Sequence, residues 1–107
     1  MRPPLPALNL ITTPGQRQVT LALAREIEQR GFTGRSVPSP FGTIAQCLGL
    51  AFATQRLAIA SAIAPIYVQT TEEFAQSAAY LHEVSGRRFQ FGIGIAHGPA
   101  WPMSAWA

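Results

Sequence analysis

Gly86-Arg87-Arg88-Phe89-Gln90-Phe91-Gly92-Ile93-Gly94-Ile95-Ala96-His97-Gly98-Pro99 is the stretch whose reading decides the fold. Phe89, Phe91, Ile93 and Ile95 alternate with Gln90, Gly92 and Gly94, the period of a β-strand. The bulky face is expected to pack under helices. The glycine face leaves room for a ligand or another backbone to approach, or serves only close packing inside a barrel. Gly92-x-Gly94 is not a dinucleotide fingerprint, because no third glycine opens a helix there. His97 falls just past the strand's carboxyl end, where α/β proteins carry their sites. It is either a hydrogen-bonding or acid–base group at such a site or an exposed loop residue.

Reading back from this strand, the chain alternates short apolar runs with amphipathic ones. Leu57-Ala58-Ile59-Ala60-Ser61-Ala62-Ile63 is a continuous small-and-apolar run, as expected of a strand buried on both faces. Ala7 to Ile11 reads as a first strand and Gly34 to Pro38 as a poor second one, with Arg35 and Ser36 in place of apolar residues. Gln16 to Arg30 predicts a helix with Val19, Leu23 and Ile27 on its inner face and Gly31 past its end. Phe41 to Thr54 predicts a second, with Ile44, Cys47, Leu48, Ala51 and Phe52 on one face. Thr70-x-x-Glu73 is a capping box that opens a third, with Phe74, Ala78 and Leu81 inside and Gly86 at its end. Units repeat at roughly 25 to 30 residues, the length of a βαβ unit. Four parallel strands and three helices make about half of a (β/α)8 barrel or a small doubly wound sheet, and periodicity does not choose between them.

Composition narrows the function. The chain has 107 residues, 48% of them hydrophobic and 12% charged, which suits one folded domain rather than a disordered segment. Its net charge of +3 comes from eight arginines against five glutamates, with no lysine and no aspartate. The arginines are scattered and form no basic stripe, which argues against nucleic-acid binding. Without aspartate there is no Ser/His/Asp set, and no cluster has metal-ligand spacing. The single cysteine, Cys47, excludes an intrachain disulfide. The amino terminus lacks a signal-peptide core, and the apolar run from Leu57 to Val68 falls short of the about 20 residues a membrane span needs. A cytoplasmic protein with no membrane partner is the expectation.

A second candidate site follows the third strand. A distorted backbone at Ala62-Ile63-Ala64-Pro65 could press against a flat ring, or Pro65 simply ends a turn. Ser39, between Pro38 and Pro40, lies at the same end of the sheet and offers a hydroxyl to a ligand, or is a plain loop residue. Cys47 reads as core, His82 as solvated, and Glu72 and Glu73 as favourable charges at a helix amino terminus.

The chain resembles the luciferase-like monooxygenases, especially the branch that uses the deazaflavin coenzyme F-420. Four segments carry the likeness: Ala24 to Phe32, Val37-Pro38-Ser39-Pro40, Ala53 to Ile66, and Leu81 to Gly94, the last being the most specific. Together they fall within residues 16 to 99. The resemblance implies a TIM barrel that binds a reduced flavin (FMN) or deazaflavin at the carboxyl ends of its strands and acts on a small-molecule substrate. It implies a cis-peptide bulge at Ala62, Ile63 and Ala64 behind the ring, backbone near the cofactor at Gly92, Gly94 and His97, and a ring contact from Ser39. His97 is the one candidate it offers for a catalytic role.

Members of that family are about three times this length, and their later strands supply much of the phosphate site. After Pro99 the sequence no longer follows the family. The expectation is therefore an α/β fold, a partial TIM barrel over residues 1–107 with a divergent tail at 100–107. It is expected to be the amino-terminal half of an oxidoreductase, a truncated or frameshifted product or a fragment, inactive alone. An alternative is a non-catalytic binding or assembly module that forms a homodimer through its open sheet edges. A small doubly wound protein with its own ligand is a third.

Overall fold

The structure, a computed structural model, describes residues 5–39 and 42–95. Its elements run β1 (Leu8–Asn9), α1 (Arg17–Gln29), β2 (Gly34–Val37), α2 (Thr43–Ala53), β3 (Ala58–Ser61), β4 (Ala64–Pro65), α3 (Thr71–Val84), β5 (Phe89–Gln90) and β6 (Ile93–Gly94). The main sheet has the order β1-β2-β3-β5, and β4 pairs with β6 in a second, two-stranded sheet. Every pairing is parallel. Within each sheet the strands stand in chain order, with no reversal. That is the winding of a barrel wall and not of a doubly wound sheet, whose order reverses at a switch point.

Two helices end as their glycines lead one to expect. Gly31 (φ +92°) follows α1 and Gly86 (φ +65°) follows α3. Around each, the next two N–H groups turn back onto the last turn: Gly31 to Glu28 and Phe32 to Ile27 at 3.2 Å each, Gly86 to Glu83 at 3.1 Å and Arg87 to His82 at 2.8 Å. These are Schellman closures, which satisfy carbonyls the helix leaves open. At the start of α3, Thr70 Oγ1 accepts from Glu73 N–H at 3.1 Å, the forward half of the capping box.

The core lies between the sheet and the helices. Ala24, Val37, Cys47, Leu50, Ala51, Ile59, Leu81 and Phe89 form one buried cluster. The inner faces of two helices differ from the expected ones. In α1 the buried residues are Ala24 and Ile27, whereas Val19 is 63% and Leu23 42% exposed. In α2 Leu50 is buried and Phe52 is 66% exposed. A helix stripe at i, i+4, i+8 drifts around the axis, and the sheet covers only the sector opposite it.

The strands depart further from their reading. β3 is not buried on both faces: Ile59 and Ser61 are buried, but Ala58 and Ala60 on the other face are only half-buried. The helices cover one face of the sheet, and within these residues nothing closes the other. The third and fourth strands are each split in two, β3 from β4 and β5 from β6. Phe89 enters the core and the Phe91 ring lies 5.6 Å from that of Phe74 in α3, but Ile93 and Ile95 are exposed.

Two polar clusters tie the amino-terminal ends of the strands together. The Glu28 carboxylate accepts from the backbone N–H groups of Gln55, Arg56 and Leu57. Arg88 donates to the carbonyls of Ser85, Leu57, Ala51 and Thr54 and to Thr54 Oγ1. It thereby caps the last turn of α2 and fixes it to the turn that leads into β5. Both lie at the end of a parallel barrel wall associated with stability rather than catalysis.

Candidate cofactor site

The two strand breaks lie side by side at the carboxyl ends. Ser61 ends β3, and its Oγ donates to the Gly92 carbonyl at 2.8 Å while accepting from Gly92 N–H at 2.9 Å. This two-way clasp uses up the hydroxyl, so Ser61 is satisfied although only 2% exposed. Beyond it the ladder resumes. Ala64 N–H donates to the Gly92 carbonyl and Ile66 N–H to the Gly94 carbonyl, each at 2.9 Å. The registers are Ala64 with Ile93 and Pro65 with Gly94. The Ala62–Ile63 peptide bond, between the two segments, is cis.

The two glycines have neighbours within the chain. A Cβ on Gly92 would stand 2.3 Å from the Ser61 carbonyl oxygen, and one on Gly94 would stand 2.7 Å from Ile63 Cδ1. At Gly92, against backbone, only a residue without a side chain lets the fourth strand come this close to the third, whereas the neighbour of Gly94 is the end of a flexible side chain. Gly92 and Gly94 are half-buried, Ala62 is exposed, Ile63 is half-buried and Ala64 is buried. Ala62 N–H donates to the Val37 carbonyl at 2.9 Å, which brings the end of β2 to the same place. Ser39, two residues past Val37, is half-buried.

The structure thus brings Ala62–Ala64 together with Gly92–Gly94, beside the end of β2. His97 lies outside the described residues. The sequence reading passed over Ser61, which holds the two breaks in register. A lone hydroxyl inside an otherwise apolar run was the signal for it. Among the described residues, no group of three or more His, Cys, Asp or Glu could hold a metal ion, and no helix is long and apolar enough to cross a membrane.

Arg35 occupies the helix side of β2, where an apolar side chain is the rule. It is 2% exposed. Its Nη2 donates to Thr12 Oγ1 at 3.2 Å and to the Leu10 carbonyl at 3.4 Å, while Nε and Nη1 have no partner among the described residues. Burial lowers its pKa from the ordinary value. Burial also pushes the neighbouring Cys47 thiol up to about 12, a rise the Arg35 charge opposes.

Comparison with known proteins agrees with this fold. The chain is similar in fold to the monooxygenase RslO1 of Streptomyces bottropensis, with a TM-score of 0.77 and 18% identity over 90% of this chain and 34% of that one. It is also similar to the oxygenating constituent of 3,6-diketocamphane monooxygenase from Pseudomonas putida, a type II Baeyer-Villiger monooxygenase solved in complex with FMN. There the TM-score is 0.74 and the identity 14%, over 88% of this chain and 31% of that one. The chain spans about a third of the length of either protein. No curated protein matches it. The sequence pattern of the luciferase-like monooxygenases matches residues 7–106, which takes in most of the tail expected to diverge after Pro99, and the chain belongs to that family.

Proposed function

We propose that this chain forms the first part of an oxidoreductase that uses FMN or the deazaflavin coenzyme F-420 on a small-molecule substrate. The observation that carries this reading is the junction of Ala62–Ala64 with Gly92–Gly94 at the carboxyl ends of parallel strands. Its side chains are uncharged and, apart from Ile63 and Ile93, small, which suits the flat face of a ring. None of Ser39, Ala62, Ile63, Ala64, Gly92 and Gly94 is a cation, so these residues fit the ring and not the phosphate. When bound, a deazaflavin supplies hydride transfer and a flavin supplies oxygen activation for monooxygenation. The residues of this chain back one face of the ring, exclude water from it and offer the Ser39 hydroxyl as a hydrogen-bond donor. A reducing, cytoplasmic setting is part of the reading and accords with the free thiol of Cys47.

The division between ring and phosphate is testable. Titration of the chain with FMN and with lumiflavin, the same ring without phosphate, is expected to give weak and equal affinities by flavin fluorescence. Micromolar binding of FMN would show that the chain holds the phosphate as well. No saturable binding of either ligand would remove the ring site from these residues.

A second reading, a non-catalytic module that assembles through its open edge, is favoured by one observation. Phe91, Ile93 and Ile95 are 38%, 52% and 71% exposed along the outer strand, and an unpaired apolar edge recruits another chain. Sedimentation that finds a discrete dimer, dissociated by Ile93→Glu, supports this module. A monomer at all concentrations counts against it.

A further inference from the structure

The main sheet stops at β1 on one side and at β5 on the other, and β6 continues the β5 edge. Edge strands are ordinarily guarded by charge, by proline or by a cover, because their open backbone recruits other chains. None of Leu8, Asn9, Phe89, Gln90, Ile93 and Gly94 is a charged residue or a proline.

Apolar side chains flank both edges. Leu21 of α1 faces α2, where its Cδ2 is the nearest atom to the Cβ that Gly49 lacks. Val19 and Leu23 stand two residues to either side of Leu21, about 200° round the helix. They therefore lie on the flank of α1 turned away from α2, and both are exposed. On the other side Ile93 and Ile95 are exposed. The two flanks differ in charge. α1 and its C-cap expose Arg17, Arg25 and Arg30 with Glu26, whereas α3 exposes Glu72, Glu73 and Glu83 and no arginine.

With β3–β4 and β5–β6 each taken as one interrupted strand, the chain supplies four strand positions of a barrel wall. A ring of eight strands has eight such positions, so four span half a turn. A unit that spans half a turn closes on itself after two copies, whereas head-to-tail contacts that do not close run on as filaments.

We propose that the partner of these edges is a second copy of this chain. β1 of each copy pairs with β5 and β6 of the other and closes a two-fold, eight-stranded barrel. The pairing is parallel, as it is within the chain. Each junction is flanked by α3 of one copy and α1 of the other, acidic beside basic. That favours this head-to-tail order over the meeting of like edges. The proposal rests on the assembly reading and is independent of the flavin reading.

The test is sedimentation of the full chain and of single substitutions at exposed positions. The parent chain is expected to form a discrete dimer. Val19→Glu and Ile93→Glu alter opposite edges, and each is expected to weaken the dimer at least about tenfold. Ile95→Glu serves the same edge should Ile93→Glu fail to fold. Phe52→Glu, on α2 between α1 and α3, is expected to leave the dimer unchanged. Concentrating the parent chain should also slow amide exchange in β1 and β6, which are open edges in the separate chain. A monomer at all concentrations would overturn both the proposal and the assembly reading. A dimer weakened from one edge only would overturn the closed barrel while leaving assembly through that edge. An open-ended series of larger species, or dissociation by Phe52→Glu, would overturn the closed barrel as well.

Discussion

Arg35 and Glu28 show opposite treatments of a charge. Glu28 sits at the surface end of α1 with three backbone N–H groups pointing at it. Burial raises its pKa, but the hydrogen bonds from Arg56, Leu57 and Gln55 outweigh that and hold it below the ordinary 4.5. A depressed carboxylate stabilises the fold above its unfolded value and loses that contribution as pH falls through its folded value. Glu28→Gln is therefore expected to cost about 1–2 kcal/mol at neutral pH. The gap to the parent protein should close below pH 4.5, which urea midpoints taken across pH would show. Arg35 is the reverse case, a charge taken inside with most of its donors unmet. Arg35→Met is expected to raise stability by about 1–3 kcal/mol in urea unfolding. A loss instead would mean that its bonds to Thr12 and Leu10 outweigh its desolvation.

At the scale of elements, glycines decide how closely strands and helices meet, and they do so in different senses. Gly92 meets backbone: its missing Cβ would fall on the Ser61 carbonyl, and neither chain segment can yield. Gly92→Ala is expected to destabilise by about 1–3 kcal/mol and to disrupt the clasp between the two strand breaks. Gly49, inside α2, faces only the end of a flexible Leu21 side chain at 3.4 Å. There alanine relieves a poor helix residue, and a gain of about 0.5–1 kcal/mol is expected. Thermal or urea denaturation of the two variants should move in opposite directions. The helices themselves were largely legible in the sequence, because Gly31, Gly86 and Thr70 act on their immediate neighbours. The break after the third strand was legible at Ala62–Ala64 through the family resemblance, and the splitting of the fourth strand was not legible at all, because it depends on Ser61 some thirty positions away in the chain.

For the whole molecule, the pairing pattern sets where the fold is firm. β2 and β3 have a partner strand on both sides, whereas β1 and β5 end the main sheet and β6 pairs only with β4. Amide hydrogen exchange should find the slowest amides in β2 and β3 and the fastest in β1 and β6. Uniform protection across all strands would indicate that another chain covers the edges. Val19 and Leu23 on one flank and Ile93 and Ile95 on the other are exposed, the two sides on which further βα units stand in an eight-stranded barrel.

The alternation of apolar runs with amphipathic ones, the punctuating glycines and the Leu81 to Gly94 segment were enough to reach the helices, the parallel α/β class and the family. Those signals are local: they depend on period and on neighbours within a turn or two. Tertiary structure alone decided that Arg35 is buried without a counter-charge, that Glu28 and Arg88 gather distant backbone groups, and that Ser61 locks the two strand breaks together. Each of these joins residues far apart in the chain, and their energies depend on desolvation and close approach, which come into being only when the segments meet.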